Sequence, residues 1–582
     1  MNKIMEFTSV KDLRYGRGPA LDAWLLHFMT ENNLEHSVDP IKNASPEQMR
    51  FMVVLDEDQV FLPCSDEMIG MLLSPTMEPE LKRHYLEKWY ALSRLVSDHV
   101  PYRSFRKRIL LLCRYKYRMV QASPIIIPSR LMKRYVTMFL TQSGQDDPYR
   151  DRKADYNRRA LKAAESGVME NLLNLCPRGS MGCTSISDLR FDLDMLELER
   201  LIVLSTIKGI WDGTAHKADH NSLRRRTQAV QTVSTSLRRV FGTARDRGPL
   251  KILYLPDTSG GVIFDLLIVR ALLRQGHRVV LALKNGFHFT APVFWDWERD
   301  PALAKMLEGA HFLADEAVSK NNLLSTMRQN QFLVISDGTR EELNLARVSV
   351  TYARAWKEAD LIIAKGRPHY RRLIMSSQQF TRDILCFVRS DDLGFRMEYK
   401  PKPEHVKKFS EADLLDMAES IIIEMREART AGNSIMFYSA IIGSLPGQTN
   451  LAIDLVTTFV NHLRSRLERT HIINPSEHFE EGLDADDLMF MWEKVQRSGL
   501  LDVWRFQTVA DIEKSFELLG RKVPPIWAGK DSTFSTGCTK EMKIALDVQQ
   551  RFPELQLIGP SPEKFFRRQE YGVGKFSDAV LD

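Results

Sequence analysis

From residue 248 onward the chain alternates short runs of Ile, Val and Leu with amphipathic helical stretches, and this alternation limits the fold more than any other feature. KILYLPD, HRVVLALK, FLVISD, ADLIIAKG and ILCFVRS each have strand length. They lack the polar alternation of a half-exposed strand, so each is expected to be buried on both faces. FDLLIVRALLRQG and NLARVSVTYARAWKE, which fall between them, have helical spacing. Strand and helix in repetition imply a parallel sheet covered on both faces, with ligands taken at the carboxyl ends of the strands. Four of those ends carry Asp257, Lys284, Asp337 and Lys365, which are expected to converge on one crevice.

Before this series, from Glu47 to about Arg239, apolar residues recur at helical spacing, as in LKRHYLEKWYALSRLV and LDMLELERLIVLSTIKGIW. The arginine-rich RRRTQAVQTVSTSLRRVFGTARDRG has no acid before Asp246 and reads as a solvated helix and linker rather than an anion-binding surface. YKPKPEHVKK marks a second boundary near residue 400. Beyond it SIMFYSAII, THIIN, PPIWAG and LQLIG, with helices between them, form another α/β series. The expected class is α/β in three parts: a helical N-terminal region over 1–245, a Rossmann-like three-layer domain over 246–400, and a C-terminal α/β domain over 401–582.

With 582 residues the chain is long enough for two to four domains. Lys and Arg number 81 against 75 Asp and Glu, an excess of 6 that is too diluted to argue for nucleic acid. The six cysteines contain no CxxC, so neither a disulfide framework nor a four-cysteine zinc site is expected, which fits a reducing compartment. The start MNKIMEFTSVKDLRYGRG has no apolar core of a signal peptide, and no run reaches the length of a membrane span. A cytoplasmic protein without a membrane partner is expected.

Four segments in order carry a family resemblance. DDPYRDRKADYN spans Asp146 to Asn157, LYLPDTSGGVIFD spans Leu253 to Asp265, ADLIIAKGRPHYRRL spans Ala359 to Leu373, and DILCFVRSD spans Asp383 to Asp391. Together, over roughly residues 45 to 395, they resemble the domain-of-unknown-function 89 family, the metal-dependent damage-control phosphatases that include the acidic-residue methyltransferase-like branch. The resemblance implies action on a small phosphorylated metabolite with a divalent ion (Mg, Mn, Ni or Co). It also implies that Asp257 holds metal and Lys365 binds phosphate, with Gly260 and Arg372 as further phosphate-binding candidates. The residues agree in kind. Asp257 ends a strand beside a helix start whose free N–H groups suit phosphate. The ammonium of Lys365 suits developing charge on phosphate oxygens. The alternative is an acid and a lysine that pair at the sheet edge.

Departures from the family pattern fall on the metal ligands. The Asn expected after Asp257 is Thr258, a weaker neutral ligand, and the third ligand position aligns with Ala291 or Pro292. The Glu of the turn motif is Gly261, and the Asn of the KG motif is His369. One carboxylate is a poor anchor for a hard divalent ion that takes about six oxygen ligands. The metal site is therefore either rebuilt, with Asp337, Glu341, His288 or Asp296 as recruits, or abandoned.

In the C-terminal part, Gly443 to Gly447 forms a turn between a strand and a helix, without the Lys and spacing of a Walker A loop. TFSTGCTKEM places Cys538 and Lys540 in the first turn of a helix. There the dipole and Lys540 would favour a thiolate, giving a nucleophile or anion seat unless the motif is a plain helix cap. Glu477, His478, Glu480, Glu481, Asp484, Asp486 and Asp487 lie close together but fail the EF-hand spacing, and a metal site on His478 competes with simple first-turn acids. The leading expectation is a metal-dependent phosphatase-like protein acting on or binding a small phosphorylated metabolite, with a rebuilt or partly lost metal site. The alternatives are a non-catalytic binding or scaffold protein and an enzyme that uses Cys538.

Overall fold

A computed structural model describes residues 7–34, 46–56, 58–174, 185–207, 210, 235–242, 248–389, 395–445, 447–480 and 482–570. The chain divides into two compact units, Met1–Pro403 and Glu404–Asp582. Cys176, Cys183, Glu481, Asp391 and most of the arginine-rich stretch before Gly248 lie outside the described residues.

The first unit is built on a seven-stranded sheet in the order β3-β4-β2-β1-β5-β6-β7. The strands are β1 (Lys251–Leu255), β2 (Arg278–Leu283), β3 (His311–Leu313), β4 (Phe332–Ser336), β5 (Leu361–Lys365), β6 (Asp383–Val388) and β7 (Arg396–Lys400). All neighbours are parallel except β7, which runs antiparallel to β6. The expected parallel α/β sheet is present. The edge strands β3 and β7 are the two that the apolar-run reading misses, because only partly apolar faces mark them.

The helices preceding the sheet include α1 (Pro79–His99), α2 (Arg103–Ala122), α3 (Pro128–Ser143), α4 (Arg150–Ala164) and α5 (Ile186–Ser205). Those within the α/β series include α6 (Gly261–Arg274), α7 (Val350–Glu358) and α8 (Arg367–Leu373). Period-two alternation in β1 divides the core. Ile252 and Tyr254 face Leu198, Leu201 and Ile202 of α5 and Val262, Ile263 and Leu266 of α6. Leu253 and Leu255 face Tyr352, Ala353 and Trp356 of α7. A further core of Tyr85, Leu92, Ile109, Cys113, Leu131 and Tyr135 joins α1, α2 and α3. The helical region and this sheet thus share one unit.

The second unit has a four-stranded parallel sheet in the order β11-β10-β8-β9, with β8 (Ser434–Ser439), β9 (Thr470–Ile473), β10 (Val503–Phe506) and β11 (Gln556–Ile558). Its helices include α9 (Glu411–Thr430), α10 (Thr449–Arg464), α11 (Ala485–Gln496) and α12 (Thr536–Arg551). The third strand is VWRF, not PPIWAG, which forms turns. Two prolines leave PPIWAG short of ladder donors, and Trp527 within it is buried against Phe516 instead.

Candidate functional site

The strand order changes direction at β1, with β2 on one side and β5 on the other, so the carboxyl ends of these strands border the switch-point crevice of the sheet. A cavity of about 150 Å³ lies there, and Asp257, Thr258, Lys284, His288, Asp337 and His369 are among its lining residues. Ala291 and Pro292 are part of the same wall, at the position aligned with the third metal ligand. Gly366 lets β1 and β5 end side by side. It has φ +105°, and a Cβ on it would stand 2.6 Å from Asp257 Oδ1.

Nearly every carboxylate at this rim already has its own cation. Asp337 accepts from Lys284 Nζ at 2.6 Å and from the Thr339 backbone N–H at 2.8 Å. Glu341 pairs with Arg130 at 2.6 Å, both nearly buried. Glu342 is bonded by Arg372 and lies 3.4 Å from Lys88. Burial alone would push its carboxyl up, but Arg372, Lys88 and His288 outweigh burial and hold it well below the usual range. Asp265 pairs with Lys365 at 2.7 Å and accepts from Tyr254. Asp296 pairs with Lys153 at 2.7 Å, and Lys153 also reaches Asp147 at 2.6 Å.

Asp257 is the exception: among the described residues its carboxylate has no hydrogen bond or ion pair. Burial pushes it up to about 6, opposed by the charge of Lys365 and aided by that of Asp265.

These pairings correct several sequence expectations. Lys365 does not line the cavity. It is 3% exposed, and its ammonium is engaged by Asp265 and the Gly261 carbonyl. The lysine that faces the cavity is Lys284. Gly260 does not offer its N–H to a ligand, because Asn157 Oδ1 accepts it. The Ser259 N–H likewise donates to the Thr290 carbonyl at 2.7 Å. Arg372 is committed to Glu342 and to Ser129 Oγ at 2.9 Å. The conversion of the KG-motif Asn to His369 places a neutral imidazole on the wall. Burial, then Lys284, pushes it down to about 3. Its Nε2 lies 3.3 Å from the Pro256 carbonyl, which only accepts, so Nε2 carries the proton and Nδ1 presents a bare lone pair. Nδ1 of His288, Nδ1 of His369 and the Tyr352 hydroxyl are buried without a partner among the described residues. Tyr352 gives no signal in the sequence, because a Tyr in a helical pattern reads as core.

The helical signature DDPYRDRKADYN is a clamp. Asn157 Nδ2 donates to Asp300 Oδ2 at 2.7 Å while its Oδ1 holds Gly260, and Lys153 joins Asp147 to Asp296. These contacts fix α4 against the loops after β1 and β2.

A divalent ion does not fit this donor set. Asp337, Glu341 and Asp296, the acids available for a rebuilt site, are neutralised by Lys284, Arg130 and Lys153. Lys284 and Asp337 both line the cavity, and as a pair they cancel each other's charge there. One unpaired carboxylate, the Thr258 hydroxyl and the unpartnered Nδ1 atoms of His288 and His369 remain, a set with a single anionic oxygen where a hard divalent ion is anchored by several oxygen ligands. Among the described residues no group of three His, Cys, Asp or Glu side chains is arranged to hold a metal ion.

In the second unit Cys538 follows the helix-cap alternative, and the thiolate expectation is corrected. Its backbone N–H bonds to the N-cap Ser535 Oγ, as in a plain helix cap. The side chain is 2% exposed, with Sγ 3.2 Å from the Ala440 carbonyl. Burial, then Glu541, pushes the thiol well above its ordinary range, while Lys540 is exposed. The acids around His478 are dispersed: Glu477 pairs with Arg464, Asp484 caps α11, and His478 packs edge-on against Trp492. In the Gly443–Gly447 turn Pro446 lies outside the described residues, and the turn leads to Gln448, which accepts from Trp527 Nε1 at 3.1 Å.

The family model of the damage-control phosphatase ARMT1-like domain matches residues 89–390. Among solved structures, the crystal structure of a DUF89 family protein from Pyrococcus horikoshii is similar over 53% of this chain and 92% of that one, at 18% identity and a TM-score of 0.38. No curated protein matches the chain. The model's match takes in the Asp-Pro-Tyr clamp, the strand-turn-helix carrying Asp257 and the Lys-Gly motif, just over half of the 582 residues. The chain belongs to the ARMT1-like damage-control phosphatase family.

Proposed function

We propose that this chain is a ligand-binding member of a generally metal-dependent phosphatase family. On this reading the cavity takes a small phosphorylated metabolite, and metal-dependent hydrolysis is weak or lost. The observation that carries the reading is the pairing of Asp337 with Lys284, which holds an ammonium at the cavity wall and occupies a lining acid that could otherwise rebuild the metal site. Lys284 spends two of its three N–H donors on Asp337 and Thr339, leaving one for a phosphate oxygen. The Thr258 hydroxyl and the unpartnered Tyr352 hydroxyl add donors, and His369 Nδ1 accepts from a ligand hydroxyl. A volume of about 150 Å³ matches roughly five water molecules, the scale of a phosphoryl group with a short polyol stem.

The test pairs turnover with binding. Purified protein is assayed for phosphate release from sugar phosphates with Mg, Mn, Co or Ni, and for ligand-induced thermal shift in chelator. We expect release no greater than that of Asp257→Ala, together with a chelator-resistant shift that Lys284→Met abolishes. Robust metal-dependent release that Asp257→Ala abolishes overturns the reading.

A further inference from the structure

Helix α2 has the sequence RSFRKRILLLCRYKYRMVQA and contains no acidic residue in its 20 positions. Its inward side is narrow: Ile109, Cys113 and Val120 are the buried residues, packed into the core shared with α1 and α3. At about 100° per residue, Leu111, Leu112, Tyr115 and Met119 fall within one arc on the far side of the helix. All four are out in solvent, at 54%, 45%, 64% and 46% exposure. Arg103, Lys107, Arg114 and Arg118 form a row along one flank of that stripe, and Arg108 projects within it. Among the described residues none of these five cations has an ion-pair partner. Unpaired cations and four large apolar side chains thus share one solvent-facing surface. Isolated exposed apolar residues need no explanation, whereas a contiguous stripe of this kind marks a contact surface.

We propose that this face of α2 docks on a bilayer surface rich in anionic lipid headgroups. Both halves of the pattern suit that occupant. Leucine, tyrosine and methionine enter the boundary between headgroups and acyl chains, while the flanking arginines and lysine lie at the level of the phosphates. A nucleic acid engages the cations and can stack on Tyr115 alone, leaving Leu111, Leu112 and Met119 uncovered, and a second copy of the chain would bring an equally basic face against this one. Among the described residues no helix is long and apolar enough to cross a membrane. The sequence expectation of no membrane partner rested on the missing span, and a helix lying in the interface plane needs none. The cavity at the sheet edge plays no part in this inference.

Flotation of the full chain with phosphatidylcholine vesicles, with and without about one third phosphatidylserine, tests the proposal. Binding to the anionic vesicles only, weakening with salt, is the expected result. Two triple variants separate the contributions. Lys107→Gln with Arg114→Gln and Arg118→Gln is expected to lower partitioning about 100-fold, at about fivefold per cation near the surface. Leu111→Ser with Tyr115→Ser and Met119→Ser is expected to abolish flotation. All six positions are solvent-facing or flanking, and unchanged circular dichroism and melting confirm that both variants are folded. No flotation of the parent chain overturns the proposal, as does equal binding to neutral vesicles. Two further outcomes also overturn it: an apolar variant that changes only oligomeric state in light scattering points to a second copy, and tight binding of a 30-nucleotide RNA that ignores the apolar variant points to nucleic acid.

Discussion

Replacing Lys153 with Met should destabilise the first unit by about 3–5 kcal/mol, the range for a buried ion pair that loses one partner. The side chain is 2% exposed, and its ammonium stands 2.6 Å from Asp147 and 2.7 Å from Asp296. Methionine keeps the apolar stem but leaves two carboxylates facing each other without a cation, in a place where burial already pushes Asp296 up. Unfolding entropy is about 2.1 cal/mol/K per residue, so a unit of 403 residues carries roughly 0.85 kcal/mol/K, and the predicted loss becomes a fall of about 4–6 °C. Differential scanning calorimetry of the full chain at pH 7.5 measures it directly. Lys305→Met is the matched control. It breaks the pair with Glu165, whose side chains are 57% and 52% exposed, and should cost less than about 1 kcal/mol. A Lys153→Met transition within about 1 °C of the parent would refute the clamp, because the helical signature would then contribute nothing to holding α4 on the sheet.

Acid should weaken the first unit through His277. Burial pushes its imidazole down to about 4 against the pull of Asp360, and Nδ1 accepts the Leu250 N–H. The folded state therefore refuses a proton that the unfolded state takes near 6.5. Stability is intact above that pH and falls as pH drops towards 4, by up to about 3 kcal/mol; urea midpoints should lose this slope in His277→Gln. Limiting iodoacetamide at pH 7 should leave Cys538 unmodified in the native chain, since the thiol is buried and its pKa raised; peptide mapping that finds it alkylated before unfolding would restore the nucleophile reading.

The parts of the fold that show in the sequence are those in which burial dictates residue type on both faces. KILYL, RVVLAL, FLVIS, LIIAK and DILCFV are all strands, and their apolar runs leave no other packing available. HFL and RMEYK escape because an edge strand needs only one apolar face, and VWRF escapes because Arg505 breaks the run by turning to Asp511. At the site, which acids and bases stand at the strand ends was legible, as were the weaker ligand at 258 and the absence of a ligand side chain at 291 or 292. Which cation meets which carboxylate was not. Arg130 and Glu341 are 211 residues apart, Lys153 and Asp296 143, and Lys365 and Asp265 100. No local spacing encodes such a pairing; it arises only when the sheet brings distant strand ends to one edge.

That pairing also explains why the sequence pointed to Lys365 and the structure points to Lys284. Both end strands adjacent to β1, on opposite sides of it, and both are candidates by topology. The difference lies one layer away, in where each finds an acid. Asp265, on the first helix turns after the Asp257 loop, is fully buried and holds Lys365 beneath the loop, so that ammonium satisfies an internal charge. Asp337 ends β4 at the cavity wall and draws Lys284 to the same wall, where one N–H remains free. A buried carboxylate left alone is costlier than one paired, so each acid at this edge selects the nearest flexible cation. Once Asp337 and Asp265 have done so, Asp257 is, among the described residues, the one acid of the rim left to face a ligand, in the cavity that Lys284 also lines.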